Sequence, residues 1–174
     1  MTVRKIITVP DEVLRRKARE VKIFDDNLRT LIDDMVETMR DAPGVGLAAP
    51  QIGVLEQVVV IEFAEAKENE ENEEDEAPPP KLYVVVNPEI ARMSSEKVMG
   101  VEGCLSVPGI VGDVERSTSI VVKGKNRNGQ KIKLKLNGWV ARIFQHEIDH
   151  LTGVLFTDLA ESIWQPEEDY VDNV

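Results

Sequence analysis

Both histidines of the chain fall in one pentapeptide, His146-Glu147-Ile148-Asp149-His150. On a helix, positions i and i+4 project from one face about a turn apart, which suits two imidazoles on one metal ion. Glu147 between them stands where its carboxylate can take a proton from a bound water. The plainer reading is a pair of core histidines satisfied by their neighbours, and a third ligand decides between the two. Hydrolytic sites of this kind take three protein ligands and leave one position open. One source is the sole cysteine, Cys104, in Val101-Glu102-Gly103-Cys104-Leu105-Ser106-Val107-Pro108-Gly109, where a strand breaks into a turn. A lone cysteine is often an inert buried residue. Glu161, downstream of the pentapeptide, is the other source. A thiolate with two imidazoles is ordinarily read as a zinc site, whereas two histidines with a glutamate would suit a small endopeptidase.

Elements must position these residues. Trp139, Val140, Ile143, Phe144, Ile148 and Leu151 form no single stripe, so the spacing predicts a helix from about residue 138 to 151 that is buried on most sides. Asn137 is available as its cap, and Gly153 follows its end. Leu28, Leu31, Ile32, Met35, Val36 and Met39 recur at helical period, giving a second, amphipathic helix. Asp25 or Asp26 starts it and Pro43-Gly44 stops it. Its methionines are core packing. The segment from Gly44 to Gly53 holds three glycines and a proline, which predicts a loop in unusual backbone geometry, either a tight connection or a backbone that approaches a ligand closely. It has no Gly-Lys-Ser/Thr and so cradles no phosphate.

Strands are expected over residues 57–63, 82–87, 97–102, 116–124 and 130–136, with a hairpin turn at Asn128-Gly129. Lys131, Lys133 and Lys135 alternate with Ile132, Leu134 and Leu136, one wet face and one buried face. A short charged helix is expected from Asp11 to Ala18, and a solvated acidic excursion ending in three prolines from Ala64 to Pro80.

The chain has 174 residues, 42% of them apolar, enough for one domain with its own core. A single cysteine excludes an intrachain disulfide and points to a reducing compartment. The net charge of −11 is local: residues 65–76 hold eight acids and one lysine, and residues 166–174 hold four acids and no base. The remainder is balanced, which argues against a DNA-binding protein. No apolar run reaches the length of about 18 residues that a membrane span needs, and the first twenty residues are charged throughout.

Three segments stand together: Gly44-Val45-Gly46-Leu47-Ala48-Ala49-Pro50-Gln51, Glu102-Gly103-Cys104-Leu105-Ser106, and Gln145-His146-Glu147-Ile148-Asp149-His150-Leu151. In order and separation they resemble the three signature motifs of peptide deformylases. The resemblance implies an α+β fold with antiparallel β-sheets wrapped around the central motif helix and the N-terminal amphipathic helix packed outside. It implies a single catalytic domain over residues 1–174, carrying the acidic loop as an insertion at 64–80 and the acidic tail at 166–174. The activity it implies is removal of the N-formyl group from the formyl-methionine of new polypeptides, releasing formate.

By motif position, Cys104, His146 and His150 would hold one Fe²⁺, with Zn²⁺, Ni²⁺ or Co²⁺ as substitutes. Glu147 would be general base and then general acid, and the Gln51 side chain and the Leu105 backbone N–H would donate to the oxyanion. Gly46, Gly109 and Ile143 would bind substrate, with Trp139 and the aliphatic stem of Arg142 as further candidates for a methionine pocket. The implied partners are formyl-methionyl nascent peptides, met by a cytoplasmic monomer with no DNA or membrane contact. Two departures stand out. Pro10-Asp11-Glu12-Val13-Leu14 differs locally from the family pattern, and the short acidic C-terminus leaves at most weak contact with the ribosome, whose RNA would repel it.

Overall fold

The computed structural model describes residues 1–65 and 78–167. The acidic loop and the acidic tail read from the sequence lie for the most part outside the described residues.

The amphipathic stripe forms α1, Asp26–Asp41, capped where Asp25 accepts the backbone N–H of Leu28 at 3.0 Å. Its buried face, Leu28, Leu31, Ile32, Met35, Val36 and Met39, lies against one side of a five-stranded sheet. That sheet has the order β1-β2-β3-β6-β7 and is antiparallel throughout. Its strands are β1 (Gly46–Ala48), β2 (Val58–Phe63), β3 (Lys81–Met93), β6 (Ser119–Lys125) and β7 (Lys131–Asn137). Because β2 is covered on both sides, its run Val58-Val59-Val60-Ile61 is apolar without alternation. Val58 and Val60 pack toward α1, while Val59 and Ile61 pack with the residues of the second helix.

That helix, α2, is Gly138–His150 and follows β7 directly. Val140, Ala141, Ile143 and Phe144 on it share a cluster with Ala48, Val59, Ile61, Tyr83, Val85, Ile120, Val122 and Leu136 from all five strands. A three-stranded antiparallel sheet completes the fold, in the order β4 (Lys97–Cys104), β5 (Val107–Ser117) and β8 (Ser162–Trp164), with the short α3 (Phe156–Leu159) beside it. The architecture is α+β with antiparallel sheets and few helices. Among the described residues no helix is long and apolar enough to cross a membrane.

Several local readings are corrected. The expected helix from Asp11 to Ala18 is a single 3-10 turn, Glu12–Arg15, because the chain then extends so that the Ala18 N–H reaches the Leu151 carbonyl at 2.8 Å. The Gly44–Gly53 segment is more regular than a loop: it holds β1 and a 3-10 turn, Ala49–Ile52, stopped by Gly53 at φ +82°. β3 runs past Asn87-Pro88 because register shifts absorb the break, and Asn87, at φ +54°, exchanges two 2.8 Å hydrogen bonds with the Val21 backbone. The strand expected over 116–124 is split between two sheets, β5 ending at Ser117 and β6 starting at Ser119. β5 itself is hidden by Pro108, Gly109 and Gly112. At Gly112 a Cβ would come within 2.9 Å of both the Ala160 Cβ and the Ser162 carbonyl, so the missing side chain lets β8 pair. Asn137 does hold the cap position of α2, but as the last residue of β7 its side chain makes no capping bond.

Candidate metal centre

Cys104 ends β4, while His146 and His150 sit one turn apart on α2. Their ligand atoms all lie within 4.8 Å of one another, and each residue is at most 2% exposed. Cys104 Sγ stands 3.4 Å from His150 Nε2. Glu161, the other candidate third ligand, is exposed beyond α3 and is not part of this group.

The His146 ring is oriented from behind. Its Nδ1 lies 2.9 Å from Glu102 Oε1. A carboxylate can only accept, so Nδ1 carries a proton and Nε2 is the nitrogen that points into the group. Among the described residues, that Nε2 is buried with no hydrogen-bond partner, as are His150 Nδ1 and both carboxylate oxygens of Glu147. A buried polar atom left unpaired costs about 1–3 kcal/mol, and His146 Nε2 beside the thiol, with the two Glu147 oxygens, marks a site built for something other than itself. A thiolate and two imidazoles, close enough to share one centre, fit a divalent transition metal.

Glu102 is itself fully buried. Burial alone would raise its carboxyl, but hydrogen bonds from Arg116 and His146 outweigh it and hold the group down to about 2. Arg116 donates to Glu102 through Nε and Nη2, both at 2.9 Å, and through Nη1 to Asp149 at 2.6 Å. Burial likewise pulls His146 down, yet the Cys104 sulfur and Glu102 on either side raise it to about 10. The pocket is thus electron-rich enough to hold a cation. Glu147 shows the opposite balance: burial raises it most, to about 7, against the lowering influence of His146. A carboxyl so poised can both take and give a proton near neutrality.

Of the other expected residues, Gln51 reaches Cys104 and Gly46 reaches Glu147. Gln51 is 1% exposed; its Oε1 accepts the Ala48 N–H at 2.9 Å, and its Nε2 faces Cys104 Sγ at 3.6 Å and Ser106 Oγ at 3.1 Å. Leu105 forms the turn after Cys104, its side chain against Gly44. Gly46 lies against the Glu147 side chain. Gly109, at φ +74°, borders open space. Ile143 is fully enclosed in the core shared with the large sheet.

Two pocket candidates are not brought in. Trp139 is 37% exposed beside Phe63 and Lys135, and Arg142 turns its guanidinium inward to Glu102. Glu102, Ser106, Arg116 and Asp149 were assigned no role from the sequence. The first two stand in the Cys104 motif and Asp149 stands in the histidine motif, but Arg116 carried no signal at all.

The model of the polypeptide deformylase family matches residues 3–165. The chain belongs to that family. A peptide deformylase of Desulforudis audaxviator is 44% identical over 168 residues, covering 97% of this chain and 100% of that one. The crystal structure of peptide deformylase from Ehrlichia chaffeensis superposes with a TM-score of 0.81 at 41% identity, over 92% of this chain and 89% of that one. The corresponding values for the Thermotoga maritima peptide deformylase are 0.80 and 39%, over 93% and 100%. The enzyme is accordingly a metal-dependent hydrolase that removes the N-formyl group from new polypeptides.

Proposed function

We propose that Cys104, His146 and His150 hold one Fe²⁺ and that Glu147 moves the proton of the reaction. The observation that carries this is the meeting of three buried ligand atoms with a buried carboxylate that has no partner of its own. When bound, the ion supplies Lewis acidity to the formyl oxygen and lowers the pKa of water at its open position. Ligand softness alone favours zinc. Iron is the reading that the family favours, with Zn²⁺, Ni²⁺ or Co²⁺ able to substitute.

Glu147 takes a proton from the attacking water and returns it to the leaving amine. The Gln51 amide, aimed at the cysteine side of the site, and the Leu105 N–H donate to the oxyanion. The Gly46 backbone holds the formamide end of the peptide, and Gly109 and Ile143 border the methionine. A formyl carbon bears only hydrogen beside its oxygen and nitrogen, so a small closed site would select it over an acetyl group.

The same reading takes residues 1–174 as one catalytic domain, with the acidic segments at 64–80 and 166–174 attached, and α2 as the helix around which the sheets wrap. The shared cluster of α2 with all five strands of the large sheet supports the latter. It also takes the enzyme as a cytoplasmic monomer that meets formyl-methionyl nascent chains and touches the ribosome weakly. The test is formate release from a formyl-methionyl tripeptide by anaerobically purified protein, with metal measured on the same sample. Formate that tracks iron, is abolished by chelator and is absent with the acetyl analogue is expected. Cleavage of internal peptide bonds in its place would overturn the reading.

A further inference from the structure

The metal ligands come from two elements: Cys104 from the end of β4, and both histidines from α2. Some contact must hold strand and helix at the spacing one ion demands. Arg142, on α2 one turn before His146, is 2% exposed and spends its guanidinium there. Nη1 donates to Glu102 Oε2 at 2.6 Å and to the Val114 carbonyl of β5 at 2.8 Å, and Nη2 donates to the Val98 carbonyl of β4 at 2.7 Å. One planar fork thus joins the helix to both strands of the hairpin that carries Cys104, and to the carboxylate that orients His146.

The seat of this guanidinium is visible in the strand above it. A Cβ at Gly100, in β4, would stand 2.7 Å from Arg142 Cζ and 2.9 Å from Nε and Nη2. Gly100 is therefore the side-chain-free position under which the fork fits.

We infer that Arg142 is a positioning residue of the metal centre, acting through Glu102 and the β4–β5 hairpin, with Gly100 as its seat. Glu102 accepts four hydrogen bonds, two from Arg116 and one each from Arg142 and His146. Arg116 fixes it from the β5 side and Arg142 from the helix side. Without the latter, Oε2 loses its shortest donor and the carboxylate is held by the Arg116 fork from the β5 side alone, so the acceptor that orients the His146 ring is no longer tied to α2. The carboxylate partner of a metal-bound histidine typically carries about 10- to 100-fold in metal affinity, and Arg142 stands one hydrogen bond behind that partner.

The inference rests on the proposed metal centre, and its test separates the two. Apo wild-type protein, Arg142→Met and Gly100→Ala are titrated with Co²⁺, reading the thiolate-to-cobalt and d–d absorption bands, with circular dichroism to check the fold. Wild type is expected to show both bands. Arg142→Met is expected to bind about 10-fold more weakly or worse, with shifted d–d bands. Gly100→Ala, which keeps the arginine but displaces its fork, is expected to move in the same direction and carries the test should Arg142→Met fail to fold. Arg142→Lys, retaining the charge without the fork, is expected to fall between.

Variants that melt lower yet bind Co²⁺ with the wild-type constant and spectrum would overturn the positioning role and leave the metal centre standing. A wild-type protein that binds no Co²⁺ would overturn both.

Discussion

Gly46 and Glu147 meet across the gap between β1 and α2: a Cβ at Gly46 would lie 2.7 Å from Glu147 Oε1 and 2.9 Å from its Cγ. The glycine is there because the Glu147 carboxylate occupies the space a side chain would need. Gly46→Ala leaves every ligand in place but pushes Glu147 aside. The expected result is a loss of roughly 10- to 100-fold in kcat, the size of effect that small misplacements of reacting groups produce, with metal content unchanged. A Gly46→Ala enzyme that turns over at the wild-type rate would show that Glu147 works from elsewhere.

Gln51 is the second group whose place implies a role. Its Oε1 is tied to the Ala48 N–H, which leaves Nε2 as the end facing Cys104. Gln51→Leu keeps the volume and removes the donor. Losing one oxyanion donor costs about 10²- to 10³-fold in kcat, so that fall is expected with KM and bound metal little altered. A loss confined to KM would assign Gln51 to substrate binding instead.

Away from the site, the N-terminal segment is strapped to α1 through Asp34, which is 5% exposed and accepts the Thr2 N–H at 2.8 Å and Arg4 Nε and Nη2 at 2.9 and 2.8 Å. Burial raises its carboxyl, but the Arg4 and Thr2 hydrogen bonds outweigh this and leave it below the ordinary 3.8. A carboxyl depressed in the folded state contributes stability that is present above its unfolded pKa and lost as pH falls through the folded one. Asp34→Asn should therefore melt below wild type at pH 7, with the gap narrowing once the pH drops under 3.8. Thermal melts across pH 7 to 2.5 read this directly. A gap that stays constant over that range would mean that the strap does not depend on the charge.

The chemistry was more legible in the sequence than its support. The helical spacing of His146 and His150 and the single cysteine are legible in the chain itself, and the fold brings the three together. α1 was legible for the same reason, since its stripe packs on one face only. What sequence periodicity did not carry was long-range closure. Arg116 and Arg142 lie 14 and 40 residues from Glu102, and only the folded hairpin and helix bring them to it. β5 was missed because its proline and glycines read as turn residues, yet Gly112 is small to admit β8 and not to bend the chain. The Asp11–Ala18 segment went the other way: its charges suited a helix, but backbone pairing of Ala18 with Leu151 and of Arg19 with Leu55 pulled it straight.

The proposed division of labour gives the metal to Cys104 and the protons to Glu147. It is tested most directly by measuring metal content and formate release together in Cys104→Ala and Glu147→Ala, both prepared anaerobically beside wild type. Cys104→Ala is expected to lose the metal and with it the activity. Glu147→Ala is expected to keep a full complement of metal while turnover falls about 10²- to 10⁴-fold, the range for a missing acid–base group. Glu147→Ala losing metal in proportion to activity, or Cys104→Ala keeping both, would contradict it.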